Sequence, residues 1–246
     1  MAITITQSYW KEHQKIDFKV DNRESYIVVP KKPREDRRWV WRAEFFGAFD
    51  SADMALLERG WYLAYHNCSD MYGCPESIEM FKKFHETVTD SFALYDRAVL
   101  FGFSRGALYA FNFAAKYPDN VSALYLDAPV LDIRSWPGGI GSAKTSPKEW
   151  KECMKWYGLN DETAMMFREN PLDKAETVAK SGIPLIMVIG DADTDVPPSE
   201  NVNIMDKRFR SFGGKVQMIT KPGCAHHPHS LKDPSPIVRF IEQYAL

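Results

Sequence analysis

The residues with the clearest capacity for chemistry are Gly102-Phe103-Ser104-Arg105-Gly106, a G-x-S-x-G pattern. Small residues two before and two after a serine let a strand and a helix approach closely. The serine then occupies a sharp turn that holds its Oγ clear of the backbone. A serine hydroxyl is a weak nucleophile and needs an adjacent base, itself oriented by a carboxylate. Both follow downstream in the order Ser…Asp…His. Gly190-Asp191-Ala192-Asp193-Thr194-Asp195-Val196-Pro197 supplies three carboxylates, and Lys221-Pro222-Gly223-Cys224-Ala225-His226-His227-Pro228-His229 supplies three imidazoles. The histidines also suggest a metal, but no carboxylate or cysteine completes an obvious ligand set, so no metal and no cofactor are expected.

These residues need a scaffold that brings them to one place. Ala98 to Phe101 is continuously apolar, as in a parallel strand covered on both faces. Ala107, Ala110, Ala114 and Ala115 then give a helix narrow enough to pack on a sheet, stopped by Lys116-Tyr117-Pro118-Asp119. Upstream, Lys15 to Val20 and Glu24 to Val29 read as an opening antiparallel hairpin around Asp21-Asn22-Arg23. Trp39 to Arg42 and Trp61 to His66 read as further strands. Ser51 to Arg59 reads as a helix with Ser51 as N-cap, and Pro75 starts another that carries Ile78, Phe81, Phe84 and Val88 at near-helical spacing. Downstream, Val121 to Leu126, Pro184 to Ile189 and Lys215 to Thr220 read as strands. Ser199 to Phe212 and Ser235 to Tyr244 read as helices.

Strands alternating with helices mean a doubly wound, mostly parallel sheet of the α/β class, and such sheets bind ligands outside the carboxyl ends of their strands. Ser104 and the loops after Arg42, His66, Asp127, Gly190 and Thr220 should emerge there. Between Leu131 and about Lys180 the periodicity weakens. That segment reads as a cap-like excursion over the sheet, with helices near Pro147 to Tyr157 and Asp161 to Glu169. Trp136 on it is a candidate to line a substrate pocket, while Trp150 and Trp156, at helical spacing, read as core. Residues 1–246 read as one domain without repeats or linkers.

Composition narrows the function. A length of 246 residues with 45% hydrophobic and 26% charged residues suits a globular protein, and the net charge of -2 argues against general nucleic-acid binding. No run is long enough to cross a membrane. Met1 to Gln7 lacks the pattern of a signal peptide, which points to the cytoplasm, although a mature secreted chain would read the same. Cys68, Cys74, Cys153 and Cys224 match no zinc spacing; Cys68 and Cys74 flank a loop short enough to pair in an oxidising compartment. His13, His66 and His85 read as structural. Nothing in the sequence specifies an oligomeric state.

The chain resembles the α/β-hydrolase superfamily, within it the serine esterase and prolyl-oligopeptidase-like group. The likeness rests on the Gly102–Gly106 elbow, the G-x-x-D-x-x-V-P turn at Gly190–Pro197 and the histidine loop at Gly223–His227. The resemblance implies Ser104 as nucleophile, Asp193 as acid and His226 as base. Ala225 stands where the family usually has glycine, which leaves His227 as the competing base. Asp127 is a competing acid, since in some members the acid sits there. The backbone N–H of Arg105 is the first oxyanion donor. The family's His-Gly oxyanion motif is replaced by Arg42-Ala43-Glu44-Phe45, so Ala43 and its neighbours are candidates for the second. Arg42, Arg105 and Tyr72 are candidate substrate contacts, with Arg42–Glu44 as the alternative, purely local, ion pair. The Trp-x-Trp-Arg and His-His-Pro-His-Ser-Leu stretches resemble bacterial hydrolases linked to carbohydrate ester breakdown. The implied function is hydrolysis of a carboxylic ester, of a small molecule or oligosaccharide, with an acidic or polyhydroxylated substrate in view. The alternatives are a peptidase of the prolyl-oligopeptidase type and a non-catalytic binding module on the same scaffold.

Overall fold

An antiparallel meander opens the chain: β1 (Thr6–Trp10), β2 (His13–Val20) and β3 (Arg23–Val28). The structure, a computed structural model, describes residues 4–245; Met1, Ala2 and Ile3 of the N-terminal stretch read above lie outside the described residues. The expected hairpin is β2–β3, and β1 adds an outer strand whose residues are mostly exposed. The chain continues through β4 (Trp39–Arg42), α1 (Ser51–Leu57), β5 (Tyr62–His66), α2 (Pro75–Phe92), β6 (Ala98–Phe103), α3 (Gly106–Lys116) and β7 (Val121–Asp127). After the excursion with α4 (Pro147–Tyr157) and α5 (Asp161–Met165) come α6 (Ala175–Lys180), β8 (Leu185–Gly190), α7 (Val202–Ser211), β9 (Val216–Lys221) and α8 (Ser235–Tyr244).

Among the described residues, nine strands form one sheet in the order β1-β2-β3-β5-β4-β6-β7-β8-β9. From β5 onward every pairing is parallel, so the carboxyl ends of β4, β6, β7, β8 and β9 share one edge. This is the α/β-hydrolase fold. β6, β7 and β8 are buried at every position, which explains their continuous apolar runs. Among the described residues no helix is long and apolar enough to cross a membrane.

Several boundaries differ from the sequence reading for local reasons. Asp50 holds the N-cap position of α1, and Ser51 Oγ instead bonds Ser230 Oγ (2.7 Å) and the Leu231 carbonyl (3.0 Å), tying the helix start to the loop after β9. The helix expected to reach Glu169 ends at Met165, after a capping box between Asn160 and Thr163. Trp156 is 36% exposed on α4 rather than packed in the core. Cys68 and Cys74 are both buried free thiols, not a disulfide.

The excursion is tied at its base. Leu172 N–H donates to the Leu131 carbonyl (3.1 Å), and Asn170 Oδ1 accepts from Ile133 N–H (3.0 Å). The segment that follows returns to the main core, where Leu172, Ala175 and Val178 are buried.

His66, at the end of β5, illustrates the structural histidines. It is fully buried, with Nδ1 2.9 Å from Ser25 Oγ and its ring stacked on Phe84 at 5.1 Å. Burial pushes its pKa down from 6.5 to about 4, so the folded protein keeps it neutral. The unfolded chain takes up a proton near pH 6.5, and the folded chain does so only near 4. The stability this histidine contributes is therefore full above pH 6.5 and is lost as pH falls toward 4, by on the order of 3 kcal/mol. Urea unfolding of His66→Gln across that range should show a shallower acid slope than the parent.

Candidate active site

The strand-to-helix corner between β6 and α3 is built as its glycines require. A Cβ on Gly102 would lie 2.7 Å from Ala107 Cα, and one on Gly106 would press to 3.3 Å from Glu44 Cβ. Between them Ser104 adopts φ 49°, a left-handed conformation unusual for a side-chain-bearing residue and a local strain that only a firmly braced turn sustains. The bracing is its backbone: the Ser104 N–H donates to the Asp127 carbonyl (2.8 Å), and its own carbonyl accepts from Val130 N–H (3.1 Å).

Ser104 Oγ lies 3.0 Å from His226 Nε2, and His226 Nδ1 lies 2.7 Å from Asp193 Oδ2. The structure therefore brings together the three residues that the resemblance singles out, from the loops after β6, β8 and β9. The other carboxylate oxygen of Asp193 accepts from the Asp195 and Val196 N–H groups, each at 2.9 Å, which fixes its orientation. The competing acids are engaged elsewhere. Asp191 accepts from Gly223 N–H, Asp195 pairs with Lys144 at the rim, and Asp127 holds His229 (2.9 Å), Tyr125 and Ser230 N–H. His227 is exposed and lies against Phe49 at 5.8 Å. Burial, with His229 and His226 beside it, pushes its pKa down.

The oxyanion side needs a correction. Ala43 N–H donates to the Phe101 carbonyl at 3.0 Å, continuing the pairing of β4 with β6, and is not free to receive an oxyanion. The next residues along, Glu44 and Phe45, turn the chain past the end of α3. The Glu44 nitrogen is 3.6 Å from where a Gly106 Cβ would stand, and Phe45 lines the pocket with φ 55°. Arg105 N–H sits at the N-terminal end of α3, among the amides with no intrahelical acceptor.

The two arginines also depart from expectation. Arg42 is fully buried and does not reach the pocket. Its guanidinium lies 3.9 Å from the Phe103 ring centroid, contacts Asp53 at 3.4 Å, and donates to the carbonyls of Phe45 (3.1 Å) and Ala48 (2.5 Å). It is a clamp on the loop after β4. Glu44 pairs not with Arg42 but with Arg105, through two bonds of 2.8 and 2.9 Å, and Asp70 adds a third contact at 2.7 Å. Burial opposes charge on Arg105, but Glu44 and then Asp70 outweigh it and hold the guanidinium firmly protonated. Arg42→Met should leave Asp53 buried and uncompensated, destabilising the fold by about 3–5 kcal/mol, whereas Arg42→Met with Asp53→Leu should recover much of that loss. Chemical denaturation of the single and double variants measures both.

The pocket over Ser104 has a volume of about 460 Å³ and is lined by Trp136, Thr145, Ser146, Glu149, Phe45 and the Arg105 side chain, among others. Trp136 is where the sequence placed it. Tyr72 is not: it is fully buried, its hydroxyl donates to Glu152 (3.1 Å), and it supports Trp136 and Arg105 from behind. Thr145, Ser146 and Glu149 escaped the sequence reading because they lie where periodicity is weakest. The S-x-x-E spacing of Ser146 and Glu149, whose side chains bond each other at the start of α4, was the available signal. A second cavity of similar volume, lined by Ile78, Asn112, Tyr157 and Lys174, is more apolar but contains none of the three residues.

Fold and site together fit a serine hydrolase of the α/β-hydrolase type. Residues 61–245 match the prolyl oligopeptidase family, about three quarters of the chain, and the chain belongs to that family. No curated protein sequence matches it. Solved structures share the fold at low identity. A puromycin-hydrolyzing peptidase of Mycobacterium tuberculosis aligns with TM-score 0.67 and 15% identity, over 89% of this chain and 36% of its own. An acylaminoacyl peptidase in complex with a chloromethyl ketone aligns with TM-score 0.68 and 12% identity, over 99% and 41%. Est1E from Butyrivibrio proteoclasticus aligns with TM-score 0.66 and 16% identity, over 93% and 98%. The chain thus spans 36% and 41% of the length of the two peptidases.

Proposed function

We propose that the protein hydrolyses a carboxylic ester of a neutral, polyhydroxylated compound. Ser104 attacks the ester carbonyl as His226 takes its proton, and Asp193 holds the imidazole and steadies its positive charge. The N–H of Arg105 and one from the Glu44–Phe45 turn receive the oxyanion. His226 returns the proton to the departing alcohol, and water, deprotonated by the same histidine, cleaves the acyl-enzyme.

The observation that carries the substrate class is the lining of the pocket. Trp136 lines it together with the hydroxyl-bearing Thr145 and Ser146 and the carboxylate of Glu149. An aromatic plane with hydrogen-bonding groups around it suits a sugar ring. An acidic substrate, in view from the sequence, loses its support because the guanidinium of Arg105 is already occupied by Glu44 and Asp70. Peptide hydrolysis is the second reading, favoured by the family itself and by the similarity to a puromycin-hydrolyzing peptidase.

A panel of acetylated sugars, methyl esters of sugar acids, p-nitrophenyl acetate and peptide p-nitroanilides separates these readings. Acetylated sugars should give the highest kcat/KM, and a preference for peptide anilides would replace the ester reading. Arg105→Met keeps the backbone N–H and should lower kcat/KM for acidic and neutral esters to a similar degree. A KM increase confined to acidic esters would restore the acidic substrate.

A further inference from the structure

The histidine loop holds more than the base. His226, His227 and His229 place a ring nitrogen each within 4.8 Å of one another. The rings stand nearly perpendicular, with centroids 4.7 to 4.9 Å apart. The two buried members are each held by a carboxylate on Nδ1: Asp193 on His226 at 2.7 Å and Asp127 on His229 at 2.9 Å. A carboxylate on one ring nitrogen is the arrangement that orients metal-binding histidines and raises their basicity, leaving Nε2 as the donor atom. No carboxylate stands beside the three histidines in the sequence to complete a ligand set. The carboxylates are present, but behind the imidazoles.

We propose that this cluster is a binding site for a divalent transition-metal cation of the zinc type, and that occupancy switches the hydrolase off. Zn²⁺ takes imidazole nitrogens at about 2.0–2.1 Å, so the donors of a tetrahedral site stand about 3.3 Å apart. The cluster has to contract by up to about 1.5 Å around the cation; His227, exposed at the pocket mouth, has the most freedom to move, and the two buried rings make the rest of the adjustment. Asp193 and Asp127 supply negative charge against the cation. Three neutral nitrogens leave the fourth tetrahedral position to water. Bound metal takes the Nε2 lone pair of His226, which then cannot accept the Ser104 proton. The off-state rests on the triad reading; the metal site does not.

Two measurements keep them apart. Calorimetric titration of Ser104→Ala with Zn²⁺ should show one saturable site without any need for turnover. In the His227→Ala and His229→Gln backgrounds the dissociation constant should rise tenfold or more, and Asp127→Asn should weaken binding by about tenfold. Because His227 is exposed, its variant is not expected to disturb folding. Zn²⁺ should also block fluorophosphonate labelling and ester turnover of the parent protein, with recovery on adding EDTA. No saturable binding to Ser104→Ala, or binding unchanged in both His227→Ala and His229→Gln, overturns the site. Binding without loss of labelling overturns the switch and leaves the triad reading untouched.

Discussion

Ser104→Ala is expected to fold as the parent does and to lose ester hydrolysis by about three to six orders of magnitude. Serine, histidine and aspartate act as a unit, and the remainder comes from substrate binding and the oxyanion donors alone. The fold should survive because the Oγ bonds only His226, whereas the turn is held by backbone bonds to Asp127 and Val130. Fluorophosphonate labelling, followed by mass spectrometry of the peptide containing Ser104, gives the same answer without a substrate. Retained turnover in the alanine variant would end the serine-hydrolase mechanism, and a protein that never labels would be a binding module on a hydrolase scaffold.

The second large effect is His226→Ala, which should match the serine variant, while His227→Ala retains most of the parent's kcat. The contrast is sharp because the two rings are neighbours in sequence and nearly perpendicular in space, at 75°. Only His226 has both nitrogens committed, one to Ser104 and one to Asp193. Steady-state kinetics on p-nitrophenyl acetate separates them, and the reverse result would place the base one residue further along the loop. Asp193→Asn is expected to fall by about four orders in kcat through loss of the correct tautomer, and Asp127→Asn by far less.

The parts of this molecule legible in its sequence are those with local causes. Ala98 to Phe103 is apolar without a break because both faces of β6 are covered, and Gly102 and Gly106 are small because Ala107 and Glu44 stand against them. The family motif then singles out Asp193 and His226, and the structure brings them to Ser104. Charge partners were less legible. Glu44 lies two residues from Arg42, but β4 ends at Arg42 and the chain turns out of the strand there, and each finds another partner: Arg42 with Asp53, Glu44 with Arg105. Ala43 is unavailable as an oxyanion donor because its N–H continues a ladder whose length the sequence does not show. β1 was missed because an exposed edge strand carries no strong alternation. The pocket wall from Thr145 to Glu149 follows from the packing of an excursion with little periodicity of its own.

That excursion has a consequence for how the enzyme can be altered. Its two feet meet at Leu131 and Leu172, which are hydrogen-bonded to each other and buried in the main core. A segment whose ends already touch can be exchanged for one of different length at little entropic cost, since closure grows only with the logarithm of length. Residues 134–169 therefore form a cassette: a natural site for grafting another wall over an unchanged triad. Swapping in a longer cap should reset which alcohol or acyl group is admitted while leaving p-nitrophenyl acetate hydrolysis within about tenfold of the parent, because none of Ser104, Asp193 and His226 belongs to the exchanged piece.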